Sequence, residues 1–469
     1  MKNASKIVLC LLLAAISLSH LLQVEARQWP GYPSRTASVT KTSLYIDNYE
    51  FGPAVSKVIL ELNTNITSYD LSSTTVTTSD INRQIQNAYL SDANGQATAT
   101  GAASKYLTLE LDVTYNTDNP SQSASPFSFD LSTYRNTWVS SYVVAINGLS
   151  VKPAYSYKSQ TINSEQEAIS NRLTPKADKF SERGQTYGLQ YAAYQPESAV
   201  DGEKNPLIIW LHGIGEVGTD LNFPLLSSEV SSLTESGIQN HFTSTGSGNQ
   251  NGAYVLVVQS PVAWGSGQAA ALKSTIDDYV ASHPDIDSER IYLAGASNGG
   301  GMVVTMGITY PNYFAALIPI AASYPYQASY DSAADLFTYT VTDSTYQALK
   351  DQPMWLIHSR ADQTVPVDNS VLPFYKAMID RGTSNKWLSY YETATGTELP
   401  GLVYNGHWSW IYFFNNQVTG VQSTENTASY QALWGMVATD PTQGGASKAT
   451  VNGIEYSNLF DWLNAQRRP

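Results

Sequence analysis

Between about Ser38 and Val151 the apolar positions recur at every second residue. In the run YLTLELDVTY, Leu107, Leu109, Leu111 and Val113 fall on one side of an extended chain, and Thr108, Glu110, Asp112 and Thr114 fall on the other. That alternation predicts a strand with one buried face. The runs SLYID, VSKVILEL and TWVSSYVVAIN behave alike, separated by Ser-, Thr- and Asn-rich connections. Several such strands within residues 31–170 predict an all-β sandwich of immunoglobulin-like architecture, without the paired cysteines of antibody domains. A polar stretch from about Ser159 to Lys179 predicts a linker.

Beyond it the pattern changes. Short, mostly apolar runs alternate with helix-like segments: Leu207–Leu211, Tyr254–Gln259, Ile291–Ala294, Ala315–Ile320, Met354–Ile357 and Trp387–Tyr391. Buried strands alternating with helices predict a mainly parallel sheet flanked by helices, the α/β class, over residues 175–469. Tyr456 to Leu463 has the spacing of a closing helix.

The chemistry gathers at the ends of those predicted strands. Gly295, Ser297 and Gly299 form the chain's single G-x-S-x-G pattern, after the β-prone run Ile291–Ala294 and before a small-residue helical stretch from Asn298 to about Thr309. Strand, sharp turn and helix are the setting in which this pattern presents a serine nucleophile. In that architecture the acid and then the histidine follow the serine. Asp362 lies in the polar loop after Met354–Ile357. Of the six histidines, only His407, in YNGHWSW, lies downstream of it. His358 reads as a loop histidine at a strand end. The rival acid Asp368 sits where Asp-Asn-Ser should cap the next helix. The run PLIIWLHGIG supplies an early Gly-rich loop. The backbone N–H groups of Ile214 and Asn298 are the expected oxyanion donors. Glu216 and Asp220 shape that loop or are solvated.

These parts suffice for acyl transfer. His407 takes the Ser297 proton as the oxygen attacks a carbonyl carbon, and Asp362 holds the imidazole. No metal or organic cofactor is needed, and the histidines lack metal-ligand spacing. GASNG, HGIGEVG, SRADQTVPV and GHW resemble the secreted α/β-hydrolases that include feruloyl-esterase-like and polyhydroxybutyrate-depolymerase-like enzymes. The resemblance runs from about Tyr187 to the C-terminus. Some bacterial carboxylesterases of this kind carry an N-terminal immunoglobulin-like domain, and the front half is similar to that arrangement. The resemblance implies a serine esterase. The stretch Tyr324–Lys350 is longer than the usual connection in such enzymes and reads as a lid or an insertion.

Composition adds an address. Lys2 and Lys6, the apolar run Ile7–Leu22 and Val24-Glu25-Ala26 read as a signal peptide over residues 1–26, so the protein is expected to be secreted without stable membrane insertion. Cys10, the lone cysteine, would leave with it. A net charge of −14 and a pI near 4.8 argue against nucleic acid and anionic membranes as partners. Trp264, Trp408 and Trp410 are expected to form a stacking wall. With export and the resemblance, that wall favours short-acyl or hydroxycinnamoyl esters, small or polymeric, over long-chain lipids. A serine peptidase and a binding protein with an inactive hydrolase-like domain are the other readings. The motifs all lie after Pro206. The sandwich is therefore expected to supply no catalytic group, and a chain starting near Leu173 to keep its serine reactive.

Overall fold

The structure, a computed structural model, describes residues 36–115, 124–197, 199, 203–245, 251–333, 335–423, 436–439 and 443–468. The expected signal segment and Cys10 lie outside the described residues.

The front of the chain forms a nine-stranded, mainly antiparallel system, with one parallel pairing, of Arg172–Leu173 with Leu44–Tyr45. Its long strand Gly52–Asp70 pairs with Ser104–Leu111 along Lys57–Glu61 and with Val143–Pro153 beyond Ile66, so both groups of strands share one hydrogen-bonded network. Leu107, Leu109 and Leu111 are buried as their alternation predicts, but the strand ends at Leu111. Thr108 is buried as well, because its hydroxyl donates to Ser91 Oγ at 2.8 Å. The run TWVSSYVVAIN splits into the ends of two strands, Arg135–Trp138 and Val143–Pro153.

The expected linker carries two strands and a short helix, Pro175–Asp178. Gln160–Glu167 pairs antiparallel with Val143–Val151, and Arg172–Leu173 pairs with Leu44–Tyr45. An edge strand with one outward face needs few apolar residues, and here Ile162 is the buried anchor. Its polar sequence therefore resembles a linker.

The C-terminal part holds an eight-stranded sheet. Its strands are β1 (Glu182–Thr186), β2 (Leu189–Tyr194), β3 (Asn205–Leu211), β4 (Tyr254–Gln259), β5 (Ile286–Ala296), β6 (Ala316–Ile320), β7 (Met354–Ser359) and β8 (Lys386–Tyr391). They lie in the order β1-β2-β4-β3-β5-β6-β7-β8, with β1 and β2 antiparallel and the rest parallel. Every residue of β3, β4, β6 and β7 is buried, which accounts for their unbroken apolar runs. Six of these strands were legible; β1 and β2 were not. Helix α1 (Ala269–Ser282) precedes β5, α2 (Asn298–Thr309) follows it, and α3 (Val371–Asp380) joins β7 to β8. α4 (Leu459–Ala465) closes the chain, capped by the Asn458 side chain on Phe460 N–H.

The Tyr324–Lys350 stretch, expected as a lid or an insertion, folds as a hairpin, Gln327–Asp331 with Leu336–Thr340, followed by a short helix, Asp343–Leu349. Asp368 caps no helix. It lies in a single 3-10 turn, Val367–Asn369, and Ser370 occupies the cap position of α3. Among the described residues no helix is long and apolar enough to cross a membrane.

Candidate active site

Because β3, β5, β7 and β8 are parallel, the loops after them leave the same edge of the sheet, where such sheets place their sites. Ser297 follows β5 at φ 54° and ψ −119°. A non-glycine residue there is strained, by roughly 1–3 kcal/mol, and the surroundings must impose it. They do: Ser297 N–H donates to Ile320 O of β6 at 2.9 Å, and Gly301 N–H donates to Ser297 O at 3.0 Å as α2 begins. Gly299 lets α2 settle against β3, since a Cβ there would lie 2.1 Å from Leu211 O.

Asp362 is almost fully buried. Its Oδ1 accepts the backbone N–H groups of Thr364 and Val365, each at 2.8 Å. Its Oδ2 faces His407 Nδ1 at 2.7 Å and His358 Nε2 at 3.0 Å. Burial works to raise this carboxyl, but hydrogen bonds from His358 and His407 outweigh it and hold the group below the ordinary carboxylate range. His407 is brought to the acid by its loop: Asn405 Oδ1 accepts its N–H at 3.0 Å, and Gly406 lies against the Ala361 backbone. Trp410 stands edge-on to the His407 ring, with centroids 5.5 Å apart. Among the described residues the Ser297 hydroxyl makes no hydrogen bond. The serine shares the strand edge with the Asp362–His407 pair but is not bonded to it.

A Cβ placed on Gly406 would lie 2.3 Å from the Ala361 carbonyl. Gly406→Ala should therefore push His407 away from Asp362. Displacements near 1 Å can cost about 100-fold, so we expect a loss of that order in kcat, read by steady-state kinetics. Unchanged kcat would show that the loop yields elsewhere.

The loop after β3, which carries Ile214, owes its shape to His212, a histidine to which the sequence alone assigns no role. His212, buried at the end of β3, has Nδ1 2.6 Å from Gly213 O and accepts Ser260 N–H on Nε2 at 3.0 Å. Burial lowers it to about 4, so it is neutral with its proton on Nδ1. In a trans peptide the N–H points opposite to the carbonyl. Holding Gly213 C=O toward His212 therefore turns the Ile214 N–H away from it. Asn298 also does more than follow the serine: its Oδ1 accepts Trp264 N–H at 2.7 Å and its Nδ2 donates to Trp264 O at 3.0 Å. The sequence signals were HG after a strand and an amide beside Ser297.

Glu216 folds its carboxyl back toward Gly213, and burial lifts it to about 7. Asp220 accepts from Trp138 Nε1 at 2.8 Å and from Asn222 Nδ2 at 2.8 Å. It is therefore a loop anchor rather than a solvated group. Trp138 belongs to the front half of the chain, whose hairpin Phe127–Trp138 lies on this loop. A Cβ on Gly215 would meet Asn136 Nδ2 at 3.1 Å and Phe129 Cε2 at 3.6 Å. The sandwich thus reaches the site's edge.

The three tryptophans separate. Trp264 is only 5% exposed, and its ring packs 5.2 Å from His212. It belongs to the core beneath the loop and offers no open stacking face, because the Asn298 clasp draws it inward. Trp408 and Trp410 are half-buried and lie together, with centroids 6.3 Å apart. Trp408 also contacts Tyr404 at 6.0 Å and Tyr115 of the sandwich at 6.2 Å. Among the described residues no cluster could hold a metal ion.

Strand order and these loops define an α/β-hydrolase preceded by an immunoglobulin-like domain. Comparison makes this more particular. Residues 41–154 match the family model of the esterase Ig-like N-terminal domain, and residues 189–338 match that of the esterase PHB depolymerase domain. Poly(3-hydroxyalkanoate) depolymerase C of Paucimonas lemoignei is 29% identical over 129 residues, 26% of this chain and 29% of the depolymerase. This chain thus spans under a third of that relative's length. A crystal structure of a thermostable esterase superposes with a TM-score of 0.59 at 22% identity, covering 81% of this chain and 97% of the other, and shows the same fold.

Proposed function

We propose that this protein is a secreted serine carboxylesterase. Ser297 is the nucleophile, His407 the base and then the acid, and Asp362 the group that orients it. The observation that carries the reading is the strained serine after β5 on the same sheet edge as an Asp362–His407 pair 2.7 Å apart. Ser297 Oγ attacks the ester carbonyl carbon while His407 Nε2 takes its proton. The N–H groups of Ile214 and Asn298 receive the oxyanion. The tetrahedral adduct collapses, His407 protonates the departing alkoxide, and an alcohol leaves. Water, deprotonated by His407, then releases the acid and restores Ser297. Trp408 and Trp410 supply the apolar wall beside the histidine.

The acyl group of choice is short or hydroxycinnamoyl, or a hydroxyacid unit of a polyester. The match to the esterase PHB depolymerase family supports the last class. Comparison of kcat/KM for p-nitrophenyl acetate, methyl ferulate, an oligomeric 3-hydroxybutyrate ester and a long-chain p-nitrophenyl ester tests it, with a peptide series alongside. A preference for one of the first three is expected, and Trp408→Ala should weaken the aryl ester most. Preference for the long chain or for peptides would overturn the substrate class. Failure of a fluorophosphonate to label Ser297 would overturn the mechanism.

A further inference from the structure

His358 is fully buried at the end of β7, on the strand whose loop carries Asp362. Its Nε2 lies 3.0 Å from Asp362 Oδ2 and 3.0 Å from Val365 O. Two oxygen acceptors on one ring nitrogen place the hydrogen there, so Nε2–H donates to both. Its Nδ1 is buried with no partner. A side chain kept only for its volume would not bury an unsatisfied nitrogen, since a leucine fills similar space without that cost. The polar end of this ring therefore works through a single N–H, shared between the Val365 carbonyl and the carboxylate oxygen that also binds His407.

The geometry points to His358 as a positioning residue that pins the plane of the Asp362 carboxylate and shares its Oδ2 with His407. This rests on the reading of Ser297, His407 and Asp362 as the reacting set. Four N–H donors converge on the carboxylate: the backbone of Thr364 and Val365 on Oδ1, and His358 and His407 on Oδ2. The two backbone donors fix one oxygen but leave the group free to tilt about it. His358 removes that freedom and holds Oδ2 in line with the His407 ring. It also draws charge from Oδ2. Its loss would concentrate that charge on His407 and favour the protonated base. The other ionisable groups around the pair are placed differently. Arg360 is ion-paired with Glu392 at the surface, Asp368 sits in the following turn, and Tyr390 neighbours His358 across the β7–β8 register. Glu216 belongs to the loop after β3.

The test compares His358→Leu, which removes the donor, with His358→Gln, whose amide restores an N–H near the Nε2 position. Both are measured in the full chain for the pH dependence of kcat/KM and of fluorophosphonate labelling of Ser297. For the leucine variant we expect plateau kcat to fall about tenfold, with KM little changed, and the acid limb to move up by about half a pH unit or more. The glutamine variant should return the limb to its wild-type position and recover most of kcat. Should leucine not fold, methionine fills similar space and also lacks the donor. An unmoved limb and unchanged kcat in the donor-free variant, or equal behaviour of glutamine and leucine, would overturn the role of His358. If wild-type protein is not labelled at any pH, the underlying reading fails instead, so the two failures are distinguishable.

Discussion

Replacing Ser297 with alanine is expected to lower ester turnover by about five to six orders of magnitude while leaving the fold in place. The loss should fall on kcat rather than KM, because the hydroxyl contributes to bond making and little to ground-state binding. Alanine would occupy the same strained turn, whose φ of 54° is imposed by the Ser297–Ile320 hydrogen bond and the start of α2 and not by the side chain. Thermal unfolding should therefore shift little. His407→Ala should be comparably severe, and Asp362→Asn about two orders milder, since an amide keeps the shape but presents His407 with the wrong partner. The decisive comparison is purified Ser297→Ala against wild type on p-nitrophenyl acetate, with fluorophosphonate labelling alongside. Retained turnover would remove the serine from the mechanism.

What the sequence revealed follows from how local each signal is. The turn at Ser297 was legible because strand, turn and helix are consecutive and their glycines answer to a crowded backbone. The buried strands were legible because parallel strands covered on both faces write themselves as unbroken apolar runs. β1 and β2 escaped for the opposite reason: both are polar in part, and β1 pairs only with its neighbour. The strand Gln160–Glu167 was mistaken for a linker because an edge position with one buried isoleucine leaves almost no pattern. Asp362 and His407 could be chosen by order along the chain, but their 2.7 Å contact depends on Gly406 lying against Ala361, which no local pattern announces.

The groups that support the site were the least legible. His212, His358 and the Asn298 side chain act through partners 48, 4 and 34 positions away along the chain. A lone histidine after an apolar run reads as a strand end whether or not its ring is in use. Trp264 illustrates the converse. Indoles near a catalytic loop suggest a stacking wall, yet hydrogen bonds to its own backbone draw this one into the core. The expectation that the sandwich supplies no catalytic group rests on motif positions, which say nothing of the hairpin docked against the loop at Gly215.

A chain beginning near Leu173 is therefore expected to lose esterase activity rather than keep it. The front half grips the site's edge in three places. Trp138 and Asn136 hold the loop that carries Ile214, through Asp220 and Ser227. Tyr49, Phe51 and Tyr115 form a ring-to-ring series that reaches Tyr404 and Trp408, beside His407. Glu50, 2% exposed, accepts hydrogen bonds from Thr397 N–H at 2.6 Å, Asn415 Nδ2 at 2.5 Å and the Tyr404 hydroxyl at 3.1 Å. Removing this half would expose Tyr404 and Trp408 at about 2 kcal/mol for each large aromatic uncovered, and it would free both loops. Circular dichroism should still report the sheet, while fluorophosphonate labelling should slow by about 100-fold or more, the cost of a misplaced oxyanion donor. The same interface should respond to pH in the full chain. Burial, with the Glu50 and Asp47 carboxylates adding to it against Lys176, raises Glu398 from 4.5 to about 7, and Glu229 beside it is raised as well. A folded-state value above the unfolded one means that this stability is full below pH 4.5 and lost as pH rises through about 7. Glu398→Gln should flatten that decline in a series of melting temperatures. A truncated chain that labels at the wild-type rate would show instead that the hydrolase half holds both loops unaided.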